Sequence, residues 1–162
     1  MSDTRQIYCC ECSSMVEARL TTGREIYPHR NDLWTLKFWK CDNCGNYVGC
    51  HKNHQKESKR LEPLGTIPTD EIRRLRTQIH YLLDPLWRQG IYQRTWLYKK
   101  LSQLTGIKTY HTGELNSVND CNKIINYLVD LRAWATKNKG FKVWQTSLSR
   151  GKHRSTLKPK SN

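Results

Sequence analysis

Val16, Ala18 and Leu20 alternate with polar neighbours, the period of a half-buried strand, and Thr22 with Gly23 marks a turn after them. Ile26, Tyr27 and the β-rich run at residues 33–39 (Leu-Trp-Thr-Leu-Lys-Phe-Trp) extend the strand pattern towards Cys41. A polar, basic stretch follows, and Pro63 and Gly65 read as a connection. Beyond it the period changes. Ile72, Leu75, Ile79, Leu82 and Leu86 recur at spacings of three and four, which predicts one helical face, with Thr69 as N-cap and Asp70 and Glu71 in the first turn. Pro85 is expected to kink or end this helix near Asp84, and Gly90 to close the segment. A second helix is predicted from about Tyr92 to Leu104, with Tyr92, Trp96, Leu97, Leu101 and Leu104 inward and Gly106 as its stop. A third starts near Ser117, whose spacing to Asp120 is that of a capping box, and carries Cys121, Ile124, Ile125, Leu128 and Leu131 inward to about Thr136. Strands followed by three short helices that can close a small bundle make the expected class α+β.

Six of the seven cysteines lie in the first 50 residues. Cys9 with Cys12, and Cys41 with Cys44, are two C-x-x-C pairs, a spacing that lets a tight turn aim both thiolates at one ion. Gly45 would supply the positive φ such a knuckle needs. Strand, knuckle, strand is zinc-ribbon organisation. The expectation is therefore an N-terminal β zinc ribbon with four cysteine ligands, a three-helix segment and a basic, flexible C-terminal tail, over 1–62, 63–136 and 137–162. Four thiolates leave no open position, so the one Zn²⁺ reads as structural, replacing a core that so short a ribbon cannot build. Cys10, Cys50, His51 and His54 are spare candidates; a site using Cys50 and His54 beside Cys41 and Cys44 would strand the first pair. Cys121, on a buried stripe, reads as packing.

Charge sharpens the picture by its position. The 162 residues carry 28 Lys and Arg against 14 Asp and Glu, a net of +14, yet residues 1–65 hold only +2 and residues 66–130 only +3. Residues 131–162 carry nine basic side chains and no acidic one. Such a balance points to nucleic acid, with the tail's Lys137, Lys139, Lys142, Arg150, Lys152 and Arg154 neutralising phosphates and Trp144 and Phe141 offering stacking faces. Arg73, Arg74, Arg76, Lys99 and Lys100 would add to the interface from the helices; with Arg88 and Arg94, they would otherwise only solvate outer helix faces. No run of 18 apolar residues exists and the first twenty residues lack an apolar leader, so no membrane partner and a cytoplasmic location are expected.

Two further readings compete. His80 and Asp84, one helical turn apart, together with His111 could serve a metal-dependent nuclease, or could simply brace the helix at Pro85 and tether a loop. Trp34, Trp39 and Trp87 could anchor a host protein complex such as transcription or defence machinery.

Cys9, Cys12, Cys41, Cys44, Gly45, Val48, Gly49, His51, the P-L-G-T at 63–66, the R-R-L-R at 73–76, His80, the D-P-L-W at 84–87, Trp96-Leu97, Gly106-Ile107 and His111 form a combined pattern from Tyr8 to about Leu128. The chain thereby resembles a family of small zinc-finger-containing proteins of phages and prophages. That resemblance implies a zinc ribbon joined to a helical segment and a viral or prophage origin, and it implies no particular activity. Cys50 beside His51 departs from the pattern and leaves the alternative metal site open. Taken together, the residues point to a non-enzymatic nucleic-acid-binding protein of that origin, with regulation as one role open to it.

Overall fold

The computed structural model describes residues 4–52, 55–56 and 59–138. They pack as two compact units, the first running to Arg74 and taking in Gly113–Val118, the second comprising Leu75–Thr112 and resuming at Asn119.

In the first unit, β1 (Thr4–Cys9), β2 (Ser14–Thr22), β3 (Lys37–Lys40) and β4 (Tyr47–Gly49) form an antiparallel meander in the order β1-β2-β3-β4. Ile7 lies opposite Val16, Leu20 opposite Trp39, and Trp39 opposite Val48. Alternation then sends Ile7, Cys9, Val16, Ala18, Trp39 and Val48 into one core with Cys41, Cys50 and Ile67, while Gln6 and Glu17 face solvent. The chain returns along this sheet after β4. Leu64 N–H donates to Gly49 O (2.9 Å), Ile67 N–H to Tyr8 O (2.9 Å), Cys10 N–H to Ile67 O (2.9 Å), and Trp39 Nε1 to Leu61 O (2.8 Å). Thr66 N–H reaches Gly113 O (3.0 Å), which ties residues 113–118 to the ribbon within the first unit. Gly65, at φ 139°, makes this possible, since a Cβ there would overlap the Gly113 backbone.

One stretch departs from its pattern. Residues 33–36 are not strand: Gly23–Ile26 form a single helical turn, α1, Asn31–Leu33 a 3₁₀ turn, and strand begins only at Lys37. Gly23 N–H donates to Leu36 O (2.8 Å) and Trp34 Nε1 to Tyr27 O (3.3 Å), so local turns take up the donors a longer ladder would have used. Tyr27 thereby joins Phe38 and Tyr47 in an edge-to-face trio, all centroids 5.6 to 5.7 Å apart.

Helix α2 (Asp70–Arg88) starts as expected, with Ile72 N–H bonded to Thr69 Oγ1 (3.1 Å). It does not end at Asp84. Pro85 lies inside it, and burial of Leu83 and Leu86 on either side carries the helix across. Tyr81, whose carbonyl loses its usual donor to the proline, is exposed. The buried stripe is also rotated from the expected one: Ile72, Arg76, Ile79, Leu83 and Leu86 are buried, while Leu75 and Leu82 are half-buried.

Helix α3 (Arg94–Thr105) buries Leu97 and Leu101 and ends at Gly106 in the left-handed conformation; Leu104, expected inward, is exposed. Helix α4 (Val118–Lys137) buries Cys121, Ile124, Ile125 and Leu128. Tyr110 is buried between them in sequence, its N–H bonded to Ser102 Oγ (2.9 Å) and its ring edge-on to Tyr98. Among the described residues no helix is long and apolar enough to cross a membrane.

Candidate metal centre

Cys9 ends β1 and Cys12 stands in the turn that leads to β2; Cys41 follows β3 and Cys44 stands in the turn before β4. Pairing of β2 with both neighbours brings the two knuckles to one end of the sheet. All four Sγ atoms lie within 4.8 Å of one another, with Cys9 Sγ 3.5 Å from Cys44 Sγ and Cys12 Sγ 3.7 Å from Cys41 Sγ. Zinc bound tetrahedrally at about 2.3 Å from each sulfur would separate the sulfurs by about 3.8 Å, so the donor set fits this ion.

Both knuckles are locally determined. Ser13 takes φ 51° in the first, and Gly45 φ 81° in the second, where Gly45 N–H donates to Cys41 O (2.8 Å) and Cys41 N–H to Asn46 O (2.8 Å). Burial pushes the Cys41 thiol up, but backbone N–H groups of Cys44 and Asn43 aimed at its sulfur overcome this and hold it below the usual thiol range. Cys12 is pushed up to about 12 by desolvation and by the thiols of Cys41, Cys9 and Cys44; Cys44 is raised first by burial too. Four thiolates packed this closely repel one another, and a divalent cation is what relieves that repulsion.

The match to the zinc-finger-containing domain family covers residues 5–131. The chain belongs to that family. No curated protein and no solved structure matches it. Family and geometry agree on one structural zinc ion held by Cys9, Cys12, Cys41 and Cys44. With four protein ligands it has no position for water or substrate, so it shapes the ribbon and takes no part in chemistry.

The spare candidates lie elsewhere. Cys10 Sγ meets Thr66 Oγ1 (3.8 Å), and Cys50 is buried in the ribbon core, where desolvation pushes its thiol up to about 11. His51 is half-buried and His54 lies outside the described residues. Among the described residues the four cysteines are the one cluster of three or more metal-ligating side chains. That cluster does not include His80, Asp84 or His111: Asp84 pairs with Arg88 (3.1 Å) and lies 3.6 Å from His80 Nδ1, and His111 is exposed.

The basic residues divide. Arg73 is held by Asp70 (2.6 Å), by Tyr47 O (3.2 Å) and over the Tyr47 ring (4.2 Å). Arg76 is only 9% exposed and near enough to Tyr110 to act on its phenol, so it is withdrawn from any helix surface. Arg74, Lys99 and Lys137 are exposed, and Lys100 lies over Trp96 (5.8 Å). Lys139, Lys142, Trp144, Arg150, Lys152, Arg154 and the expected flexible tail lie outside the described residues. Of the tryptophans weighed as anchors, Trp39 is 4% exposed and packed in the ribbon, Trp34 is bound to Tyr27, and Trp87 is half-buried among arginines.

Two features escaped sequence reasoning. A recess of about 500 Å³ beside Cys44 is lined by Glu11, Asn46, Thr69, Asp70 and Glu71, an acidic wall that would repel phosphates. Conversely, residues 85–113 carry five basic side chains, five aromatic ones and no acidic residue. That signal was present in the sequence but averaged away in a balance taken over residues 66–130.

Proposed function

We propose that the protein binds nucleic acid without catalysing a reaction, its zinc ion serving to hold the ribbon folded. The observation that carries this reading is where positive charge is left over. Within the ribbon unit, Arg5 pairs with Glu62, Arg19 with Glu25 and Asp42, Lys40 with Glu25, Arg30 with Asp32, and Arg73 with Asp70. The excess falls instead on two acid-free stretches, residues 85–113 and 131–162. Basic residues in excess of nearby acids along the chain are available to phosphates, each releasing counterions as it binds one. The phage or prophage origin and regulatory role implied by the sequence resemblance belong to this proposal, with the host cytoplasm as the site of action.

Binding of the zinc-loaded chain to fluorescent DNA and RNA, titrated over salt concentration, tests it. A steep fall in affinity with salt is expected, and removal of residues 137–162 should flatten the slope by about 0.7 to 0.9 for every phosphate that the tail neutralises. Affinity that does not change between low and moderate salt overturns the proposal.

A further inference from the structure

The second unit carries an alternating array of cations and rings that the zinc site does not use. At the C-terminal end of α2, the Arg88 guanidinium lies 5.2 Å from the Trp87 ring centroid. On the opposite side of the sequence turn at residues 89–93, the Arg94 guanidinium lies 5.0 Å from Trp87 and 4.9 Å from Tyr98, and its Nη2 donates to Tyr98 Oη (3.3 Å). Arg88 and Arg94 are exposed, and Trp87 and Tyr98 half-buried.

The two arginines differ in charge balance. Asp84 neutralises Arg88 at 3.1 Å. Arg94 meets no carboxylate among the described residues; its partners are the two rings and one phenol. It is thus held in one place by neutral groups while its charge stays uncompensated. A guanidinium oriented in this way has already given up much of its rotamer freedom and presents a planar donor fork that matches a phosphate. Along the chain, residues 85–113 also contain Lys99, Lys100 and Lys108 and no acidic residue. Trp87 adds an independent sign. Its Nε1 is buried without a hydrogen-bond partner among the described residues, a desolvation cost that a phenylalanine would avoid, so a tryptophan here is not the choice best suited to packing.

We infer that the Trp87-Arg88-Arg94-Tyr98 array is a binding surface for single-stranded nucleic acid, with a backbone phosphate on Arg94 and unpaired bases stacked on the ring and guanidinium planes. This rests on the nucleic-acid reading above and specifies it. Flat cations and rings in alternation accept the π-face of any base, whereas paired bases within a duplex keep their faces covered; phosphate binding alone would not discriminate between the two.

The experiment uses the full, zinc-loaded chain and fluorescence anisotropy with oligothymidylate and oligouridylate of about 20 nucleotides and a duplex of equal length, enough to span one such site. The comparison is between Arg94→Gln, Arg94→Lys and Arg30→Gln, the last removing one exposed charge from the ribbon unit. Zinc content and circular dichroism establish that each variant is folded. The expected result is tighter binding of single strands than of duplex. Arg94→Gln should weaken single-strand binding by roughly tenfold while Arg30→Gln changes it less than about twofold, and Arg94→Lys should keep the salt slope but lose the single-strand preference. Two strands bound alike would support both nucleic acids as ligands; a difference between them would assign the surface to one. If the parent binds no nucleic acid, both this inference and the functional proposal fall. If it binds but Arg94→Gln behaves like Arg30→Gln, or weakens duplex and single strand equally, only this surface is overturned.

Discussion

Chelating the zinc ion is expected to unfold the ribbon rather than loosen it, and the structure sets the scale. The ribbon core has nine buried residues, of which Cys9, Cys41 and Cys50 are three. Its large apolar side chains are Ile7, Val16, Trp39, Val48 and Ile67, which at about 2 kcal/mol each contribute about 10 kcal/mol on burial. A structural zinc site contributes roughly 10 to 16 kcal/mol at neutral pH, as much as that whole core and comparable to the full stability of a domain. Trp39 offers a local reporter, because it is 4% exposed and its indole N–H is bonded to Leu61 O. In a ¹⁵N-labelled chain, removal of one zinc equivalent should abolish the exchange protection of that N–H together with the β-sheet dichroism. Cys12→Ser should lose the metal, whereas Cys10→Ser, whose sulfur meets Thr66 instead of the cluster, should keep one equivalent. The pH dependence has a defined sign. Unfolded thiols bind protons up to their pKa of about 8.5 while the metal-bound ligands do not, so stability rises with pH towards that value and falls in acid as protons displace zinc. A metal-free chain that retains Trp39 protection, or a Cys12→Ser variant that still binds a full equivalent, would refute the reasoning.

Three further outcomes are expected. Gly65→Ala should destabilise the first unit by about 2 kcal/mol or more, because it adds a Cβ where the Gly113 backbone lies and at φ 139°; chemical denaturation measures it. Glu25 accepts from Arg19, Lys40 and Thr21, and Arg19 chiefly holds its carboxyl far below the usual range. Its depressed pKa contributes stability that is complete above about pH 4.5 and is lost as pH falls through the folded-state value, so Glu25→Gln should flatten the acid limb of the stability profile seen by circular dichroism. Pro85→Ala restores a donor for the Tyr81 carbonyl inside α2 and should raise stability by about 1 to 2 kcal/mol, less the unfolded-state advantage of proline, as read from the thermal midpoint.

The metal site was readable in the chain because its determinants are local. A C-x-x-C turn needs only its own residues and Gly45 to point two sulfurs one way, and two such pairs flanking strand-like segments leave few other readings. The same holds for Thr69 as a cap, for Gly106 as a helix stop, and for the buried positions of α4. The readings that changed depend on distant partners. Residues 33–36 have strand-forming side chains, yet Gly23 N–H takes Leu36 O and Tyr27 O takes the Trp34 indole, so turns win over the ladder. Pro85 breaks an isolated helix, yet buried Leu83 and Leu86 hold this one together. Arg76 reads as one more surface cation in R-R-L-R, but α2 is rotated so that it is buried near Tyr110. By itself, then, the sequence determined the zinc ligands, the change from strand to helix after the ribbon, and the total charge, which follow from short-range spacing and composition. Only the tertiary structure decided which cations take ion partners: Arg19, Arg30 and Arg73 are spent on ion pairs, whereas Arg94 is set between two rings and meets no carboxylate among the described residues. Charge compensation acts through space, and no count along the chain can assign it.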